Sequence, residues 1–167
     1  MVKLARPPEL PIRGEEDYFQ KLVKEINPYL QSLNIELNFK GYKNTVKEYG
    51  EVDSKDYNKL WELSRDFNMW GEYFTNMQAV IEKLYLDSEV AEKEVFAIAS
   101  EMADVKSVNR GDRFANREAS VVETRKNKNS LKAFLKVIES KIDFSYKCHH
   151  HCKNTCNCIK MQNPNFS

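Results

Sequence analysis

The sequence predicts a mainly α-helical protein in which two long helices form an antiparallel, coiled-coil-like hairpin behind a small N-terminal α+β module. Three observations support this fold class. Apolar residues follow a seven-residue repeat over residues 60–105, and a second helical pattern begins near Arg117. The chain of 167 residues contains only 5 glycines and 5 prolines, so it has few residues that would end a helix.

The first 52 residues divide into an arm and a module. Residues 1–14 form a proline-rich arm, which we expect to be extended. In the module, residues 15–33 show helical spacing, and Pro28 should kink or split that helix. Residues 35–39 alternate apolar and polar side chains, as a half-buried strand does, and residues 45–52 are the nearby segment that could pair with them.

The hairpin is expected over residues 53–158, with its first helix capped by Ser54. The seam of this helix consists of Leu60, Leu63, Phe67, Trp70, Phe74, Met77, Ile81, Leu84, Ser88, Ala91, Val95, Ile98, Met102 and Val105. A seam that keeps a 3.5-residue period needs a helical partner, because a lone helix would leave the apolar stripe in water. The alternative is one buried face of an ordinary helical bundle.

Residues 106–116 break the repeat and predict a turn, after which a second helix should reach the cysteines. Its seam consists of Val121, Leu131, Leu135, Ile138, Ile142, Ser145, His149, Cys152 and Cys156. Thr124 and Lys128 also fall at seam positions, so the second seam is less apolar than the first. The surplus apolar surface predicts further subunits, and therefore a homo-oligomer. Residues 159–167 are expected to form a flexible C-terminus.

Composition excludes several classes of protein. The chain is 41% hydrophobic and 31% charged, which fits a globular domain and not a disordered one. Neither a membrane-spanning run nor a signal-peptide core is present, so a cytoplasmic location is expected. There is no phosphate-binding glycine loop, no nucleophile elbow and no histidine outside the tail. We therefore expect a binding protein and not an enzyme.

Charge is distributed unevenly along the chain. Residues 51–104 contain 13 acidic and 5 basic side chains, for a net charge of −8, whereas residues 105–167 contain 5 acidic and 13 basic ones, for +8. Such a distribution indicates either that one element faces a polyanion or that the two helices are matched in charge.

Basic side chains form a stripe along the second half of the chain. Its members are Arg110, Arg113, Arg117, Arg125, Lys128, Lys132 and Lys136. Aligned cations bind a phosphate backbone by releasing its condensed counterions. The alternative is a solvated face that forms salt bridges with the acidic first helix. Phe114 lies among the arginines, where it could stack on an exposed base or simply close the hairpin end.

All 4 cysteines and all 3 histidines lie within residues 148–158. Thiolates and imidazoles together suit zinc, although their spacing is not that of a zinc finger. The candidate ligands are Cys148, His149, Cys152, Cys156 and Cys158. Alternatively, the cysteines spaced four residues apart pack as small apolar side chains, or a transient disulfide forms.

The order of features over residues 61–153 resembles the UvsY-like recombination mediators of tailed phages. The similar features are a tryptophan-bearing first helix, a basic linker around Arg113 and Phe114, and a second helix from Arg117 that ends in a basic segment. The resemblance implies an oligomer in the cytoplasm of a bacterial host that binds single-stranded DNA. It also implies contact with a single-strand-binding protein and help in loading a RecA-type recombinase. It would place Arg110, Arg113, Arg117, Arg125, Lys128 and Lys132 along the DNA.

Our sequence-based hypothesis is therefore a non-catalytic, oligomeric accessory factor for single-stranded DNA. The rival hypothesis is a phage-type adaptor or inhibitor that binds a host protein through its acidic coiled coil and has a zinc-stabilised Cys/His tail.

Overall fold

A computed structural model describes residues 15–32, 34, 35, 37, 39–103 and 108–162, without the side chains of residues 15–20, 108 and 109. The elements are α1 (Glu15–Ser32), α2 (Phe39–Glu51), α3 (Tyr57–Glu101), α4 (Val108–Ala115) and α5 (Ala119–Gln162). The two long helices, α3 and α5, pack against each other as an antiparallel hairpin, which confirms this part of the predicted architecture. In the part of the chain that the structure describes, no helix is long and apolar enough to cross a membrane.

The main core lies between α3 and α5 and is closed by α1 and α2. Its fully or almost fully buried side chains on α3 include most of the predicted seam up to Ile81. The other helices contribute Leu22, Ile26, Leu30, Tyr42, Leu131, Phe134, Ile138, Cys148, Cys152 and Cys156. A second, smaller cluster at the closed end of the hairpin consists of Ala99, Ala115 and Val121.

The predicted seam is wrong at the end of α3. Ile98 and Met102 are 57% and 75% exposed, whereas Ala99 is buried. A straight α-helix has 3.6 residues per turn, so a stripe of period 3.5 rotates away from its partner over several heptads. The buried face has therefore moved by one residue at this point. Val105 lies outside the described residues.

The predicted α+β module is also wrong, because α2 occupies residues expected to form strands. Ile35 and Leu37 do contact the core, but from irregular backbone. From Phe39 onward, Tyr42 and Tyr49 recur at helical spacing and pack against aromatic residues of α3. Packing of one helical face against α3 therefore determines the conformation of this segment and outweighs the strand preference of its short alternating pattern.

The ends of the helices differ slightly from the prediction. Pro28 lies inside α1, and Asn34 adopts a left-handed conformation (φ 56°) after that helix. Backbone bonds from Asn34 to Gln31 and from Ile35 to Leu30 complete a Schellman C-cap. The N-cap of α3 is Asp56 and not Ser54, because the Asp56 carboxylate accepts a hydrogen bond from the backbone N–H at position 59.

The predicted turn over residues 106–116 contains a short helix, α4. Helix α5 begins two residues after Arg117 and continues four residues past the predicted end at position 158. The arm (residues 1–14), residues 33, 36 and 38, residues 104–107 and residues 163–167 lie outside the described residues.

Gly111 allows α4 to lie close to α3. A Cβ atom at this position would come within 3.0 Å of the Ser100 side-chain oxygen and 3.2 Å of the Ser100 carbonyl oxygen. At Gly50, by contrast, a Cβ atom would meet nothing within 4 Å. The two glycines therefore form a matched pair for testing this helix contact.

We expect Gly111→Ala to lower the free energy of unfolding by about 1–2 kcal/mol relative to Gly50→Ala, because overpacking outweighs the helix propensity that alanine gains. Urea denaturation measures both values. Equal stability of the two variants would contradict the close packing of α4 on α3.

Candidate nucleic-acid interface

The outer face of α4 gathers basic and aromatic side chains at the closed end of the hairpin. Arg110, Arg113, Phe114 and Arg117 are all exposed, and they follow one another at steps of three, one and three residues. This spacing places Arg110, Arg113 and Phe114 on one side of α4, and Arg117 follows in the turn that ends this helix. Gly111 and Ala115 lie on the opposite side and are buried. Packing of small residues against α3 thus leaves the larger residues facing solvent.

Phe114 is 45% exposed, so it does not act as a hydrophobic plug. The small cluster that closes this end of the hairpin uses Ala99, Ala115 and Val121, with Val95 and Phe96 packed against it. No ion pair involving the three arginines occurs within the described residues. The face therefore offers three cations and one accessible aromatic ring.

Polar contacts hold α4 against both long helices. The Asn116 side-chain amide donates to the Asp112 carbonyl oxygen at 2.7 Å. The Asn116 side-chain oxygen accepts a hydrogen bond of 2.6 Å from Arg125 on α5. Ser100 on α3 is within 3.4 Å of the Asp112 carboxylate. These contacts fix the orientation of α4 relative to the hairpin.

Two members of the predicted basic stripe lie in the α3–α5 contact. Arg125 Nε donates to Glu92 at 2.7 Å, and Lys128 donates to the second carboxylate oxygen of Glu92. The guanidinium of Arg125 also lies 5.5 Å from the centre of the Phe96 ring. The Glu92 side chain is only 15% exposed. Arg125 and Lys128 therefore form salt bridges with the acidic first helix, which was the alternative to binding a phosphate backbone.

The hydrogen bonds from Lys128 and Arg125 hold the pKa of Glu92 below its ordinary value of 4.5. A carboxylate with a lowered pKa stabilises the folded state above its ordinary pKa, and this contribution is lost as the pH falls through the lowered value. The ion-pair network should therefore stay intact at neutral pH and weaken only in acid.

Lys132 and Lys136 lie farther along α5 and are exposed. Neither forms an ion pair within the described residues. The stripe predicted from sequence thus divides into three exposed arginines at the tip, two cations engaged by Glu92, and two exposed lysines. The sequence analysis did not identify Glu92 as the partner of Arg125 and Lys128, or Asn116 as a contact of Arg125. The sequence contained one indication of such a polar contact. Thr124 and Lys128 fall at seam positions, and polar side chains in a seam require a polar partner on the facing helix.

Three of the four cysteines pack as small apolar side chains. Cys148, Cys152 and Cys156 are buried in the main core, and Cys158 is exposed. Burial raises the pKa of Cys148 to about 11 and that of Cys152 to about 12. These thiols are therefore protonated at neutral pH.

The histidines of the tail contact other helices. His149 Nδ1 lies 2.8 Å from the Ser64 carbonyl oxygen and so donates to it. His151 Nδ1 lies 2.9 Å from the Tyr49 hydroxyl group. Both contacts join the end of α5 to neighbouring helices.

Among the described residues, no group of three or more His, Cys, Asp or Glu side chains is arranged to hold a metal ion. Zinc binding requires deprotonated thiols, which burial opposes here. Zinc binding by Cys148, His149, Cys152, Cys156 and Cys158 stays a prediction. About one zinc per chain, in protein purified without a histidine tag, would support it; metal-free protein of full stability would contradict it.

Comparisons with protein-family models, curated proteins and solved structures return no match for this chain.

We expect Glu92→Gln to lower the free energy of unfolding by about 2 kcal/mol, because it leaves two partly buried cations facing each other without a carboxylate. Glu94→Gln is the matched control, since Glu94 is exposed on the same helix and forms no ion pair among the described residues. The difference between the variants should shrink as the pH falls below the ordinary carboxyl pKa of 4.5 and then through the lowered pKa of Glu92. Similar denaturation midpoints at neutral pH would contradict a structural role of Glu92.

Proposed function

We propose that this protein is a non-catalytic accessory factor that binds single-stranded nucleic acid, in particular single-stranded DNA, through the outer face of α4. The observation that carries the proposal is the grouping of Arg110, Arg113 and Arg117 around the exposed ring of Phe114. The same face is backed by packed small residues and by the Asn116–Arg125 hydrogen bond, so its side chains share a defined platform.

This combination of side chains favours a single strand over a duplex. Guanidinium groups bind phosphates with little dependence on sequence, and the release of counterions supplies the free energy. An aromatic ring adds stacking on a base only if the base is unpaired. Phe114 next to three arginines can meet both requirements, whereas a duplex would present only its phosphates to the arginines.

The exposed residues of α5 extend the proposed interface. Lys132 and Lys136 are accessible for phosphate contacts beyond the tip. Arg125 and Lys128 act differently, because Glu92 already engages both of them. We assign Arg125 a positioning role, since one of its nitrogens bonds to Glu92 and another to Asn116 beside the α4 face.

The second part of the proposal is that the protein acts as a recombination mediator. It comprises self-association, contact with a single-strand-binding protein and assistance in loading a RecA-type recombinase. Its support is the resemblance in the order of helices and basic segments to UvsY-like mediators. The α4 interface by itself would explain only the binding of single strands. Loading of a recombinase therefore requires a separate assay.

Charge reversal at the tip tests the binding proposal. We expect Arg113→Glu with Arg117→Glu to weaken binding of a labelled single-stranded oligonucleotide at least tenfold at low salt. The dependence of log affinity on log salt should become shallower by about 1.4, or about 0.7 for each lost phosphate contact. Fluorescence anisotropy at several salt concentrations measures both quantities.

Arg65→Glu, compared with Arg113→Glu alone so that each variant changes the net charge by two, is the control for this experiment, because Arg65 is an exposed arginine near the opposite end of α3. It should leave the affinity almost unchanged. Equal losses in the two sets of variants would indicate a general effect of net charge, and unchanged binding in the tip variant would refute the proposed interface.

Stacking by Phe114 gives a separate expectation. Phe114→Ala should weaken single-strand binding about tenfold, since base–aromatic stacking contributes about 1–3 kcal/mol per base. Its salt dependence should not change, because no cation is removed. Phe114→Trp should retain binding. A loss of affinity for duplex DNA as large as that for the single strand would contradict stacking.

A second candidate function is a protein-interaction adaptor or inhibitor that binds its partner through α3. The observation that favours it is the exposure of Leu86 (52%) and Val90 (56%), which lie one turn apart on an acidic helix. Absence of oligonucleotide binding even at low salt would favour this function over the first, because apolar contacts respond little to salt.

The same apolar pair tests the predicted homo-oligomer. We expect the wild-type protein to sediment as an oligomer and the variant Leu86→Asp with Val90→Asp to sediment as a smaller species, because charged side chains cannot be buried in an apolar contact without a large desolvation cost. A monomeric wild-type protein would contradict self-association and leave this face to a different protein partner.

A further inference from the structure

A cleft with a volume of about 780 Å³ lies between α1 and the first turns of α5. Binding sites for small molecules have volumes of about 300–1,000 Å³. Side chains at steps of three and four line the wall that α5 forms, and α1 forms the other wall with Lys21, Leu22 and Glu25. Ala119 lies at the start of α5, two residues after Arg117, so one end of the cleft is next to the α4 face.

Both walls of the cleft include apolar side chains. On α1, Leu22 is almost fully buried, and on α5, Ala119 is exposed and Val122 is 36% exposed. A flat ring that enters the cleft would therefore contact apolar surface, and the removal of that surface from water favours binding. A free phosphate, by contrast, has no apolar surface to bury.

The polar side chains on the α5 wall are not engaged by the protein. Asn127 is half-buried and Asn129 is exposed, and neither forms a hydrogen bond among the residues that the structure describes. The exposed carboxylate of Glu123 also has no hydrogen bond or ion pair within this part of the chain. Glu25 differs, because its carboxylate accepts a hydrogen bond of 2.5 Å from Ser130, which joins the two walls. The two amides and Glu123 therefore offer donors and acceptors to a ligand.

The charges that line the cleft balance one another. Lys21 and Lys126 contribute two positive charges, and Glu25 and Glu123 contribute two negative ones. Neither lysine forms an ion pair within the described residues. A phosphate group inside the cleft would approach two carboxylates, which repel it, whereas an uncharged ring with polar edges avoids this repulsion. The phosphates of a bound strand are therefore expected outside the cleft, on the arginines of the α4 face.

We propose that the cleft binds one unpaired base of a single-stranded nucleic acid and prefers a base with an exocyclic amino group. The amide of an asparagine side chain pairs with adenine, and a carboxylate accepts a hydrogen bond from the amino group of cytosine. Thymine presents a carbonyl oxygen where cytosine presents that amino group, so Glu123 would repel it. The inference rests on the proposed function, because the strand that presents the base would lie on the α4 face.

Nucleosides test the cleft independently of the α4 arginines, because they contain no phosphate. We expect deoxyadenosine and deoxycytidine to shift the NMR signals of Val122 and of the Asn127 and Asn129 side-chain amides in the isotope-labelled full chain. Thymidine should bind about threefold to tenfold more weakly, since its O4 atom is an acceptor that Glu123 repels. Shifts of equal size with all three nucleosides, or no shifts at these residues, would overturn the base site.

Two substitutions should weaken nucleoside binding without affecting the fold, because both side chains are exposed. Asn129→Ala should weaken the binding of deoxyadenosine, and Glu123→Ala that of deoxycytidine, each about threefold to tenfold. Asn154→Ala and Glu139→Ala are the matched controls, since these residues are exposed on α5 outside the cleft. The controls should leave both affinities unchanged. Equal losses in the controls and in the cleft variants would argue against the site.

A single-stranded oligonucleotide connects the cleft with the α4 face. Asn129→Ala should weaken the binding of a strand that contains adenine about threefold, and the salt dependence should not change because no cation is lost. A strand of thymine alone should bind the wild-type protein and this variant equally. A loss for the thymine strand as large as that for the adenine strand would contradict recognition of the base.

The cleft and the α4 interface can fail separately. Phe114→Ala should leave the nucleoside-induced shifts at Val122 and Asn129 unchanged, because Phe114 does not line the cleft. Such shifts together with absence of strand binding would support base recognition by the cleft and refute the α4 interface. Strand binding that requires Arg113 and Arg117, without any nucleoside-induced shift in the cleft, would uphold the interface and refute the base site.

Discussion

Burial of one face of α3 against α5 supplies most of the apolar core and determines the positions of all the other elements. Helices α1 and α2 are too short to be stable alone, and each contributes its few buried residues to the groove that the hairpin forms. The short helix α4 depends on the same contact, because it packs on the end of α3 through Gly111 and is tethered to α5 through Asn116. The proposed binding surface at the tip therefore exists only while the hairpin is closed.

A polar segment divides the hairpin contact into two apolar parts. The main core ends near Ile81 and Leu131, the smaller cluster surrounds Ala99, and Glu92 lies between them with its two cations. A partly buried ion pair contributes little net stability compared with apolar residues of similar size, but it is costly to leave one member unpaired. Any register that separated Glu92 from Arg125 would leave charges unpaired in the contact, so the ion pair selects one alignment of the two helices.

The concentration of cysteine and histidine at the end of α5 has a structural explanation that does not require a ligand. Cysteines 148, 152 and 156 follow the helical repeat and fill the narrow space where α5 meets α2 and α3. Small side chains in this position allow the aromatic ring of Tyr49 to reach both Phe67 and His151. The side chains of the tail that remain exposed are the thiol of Cys158 and the imidazoles of His150 and His151.

The sequence by itself determined the helical class, the hairpin and the position of the basic segment, because these depend on periodicity and charge along one chain. It could not determine which basic residues remain accessible. Arg113 and Arg125 look alike in sequence, and only the position of Glu92 on the facing helix separates an exposed cation from an engaged one. The same reason explains the errors in the fold. The drift of the seam at Ile98 and the helical conformation after Phe39 both depend on contacts between distant residues, and a local pattern does not contain those contacts.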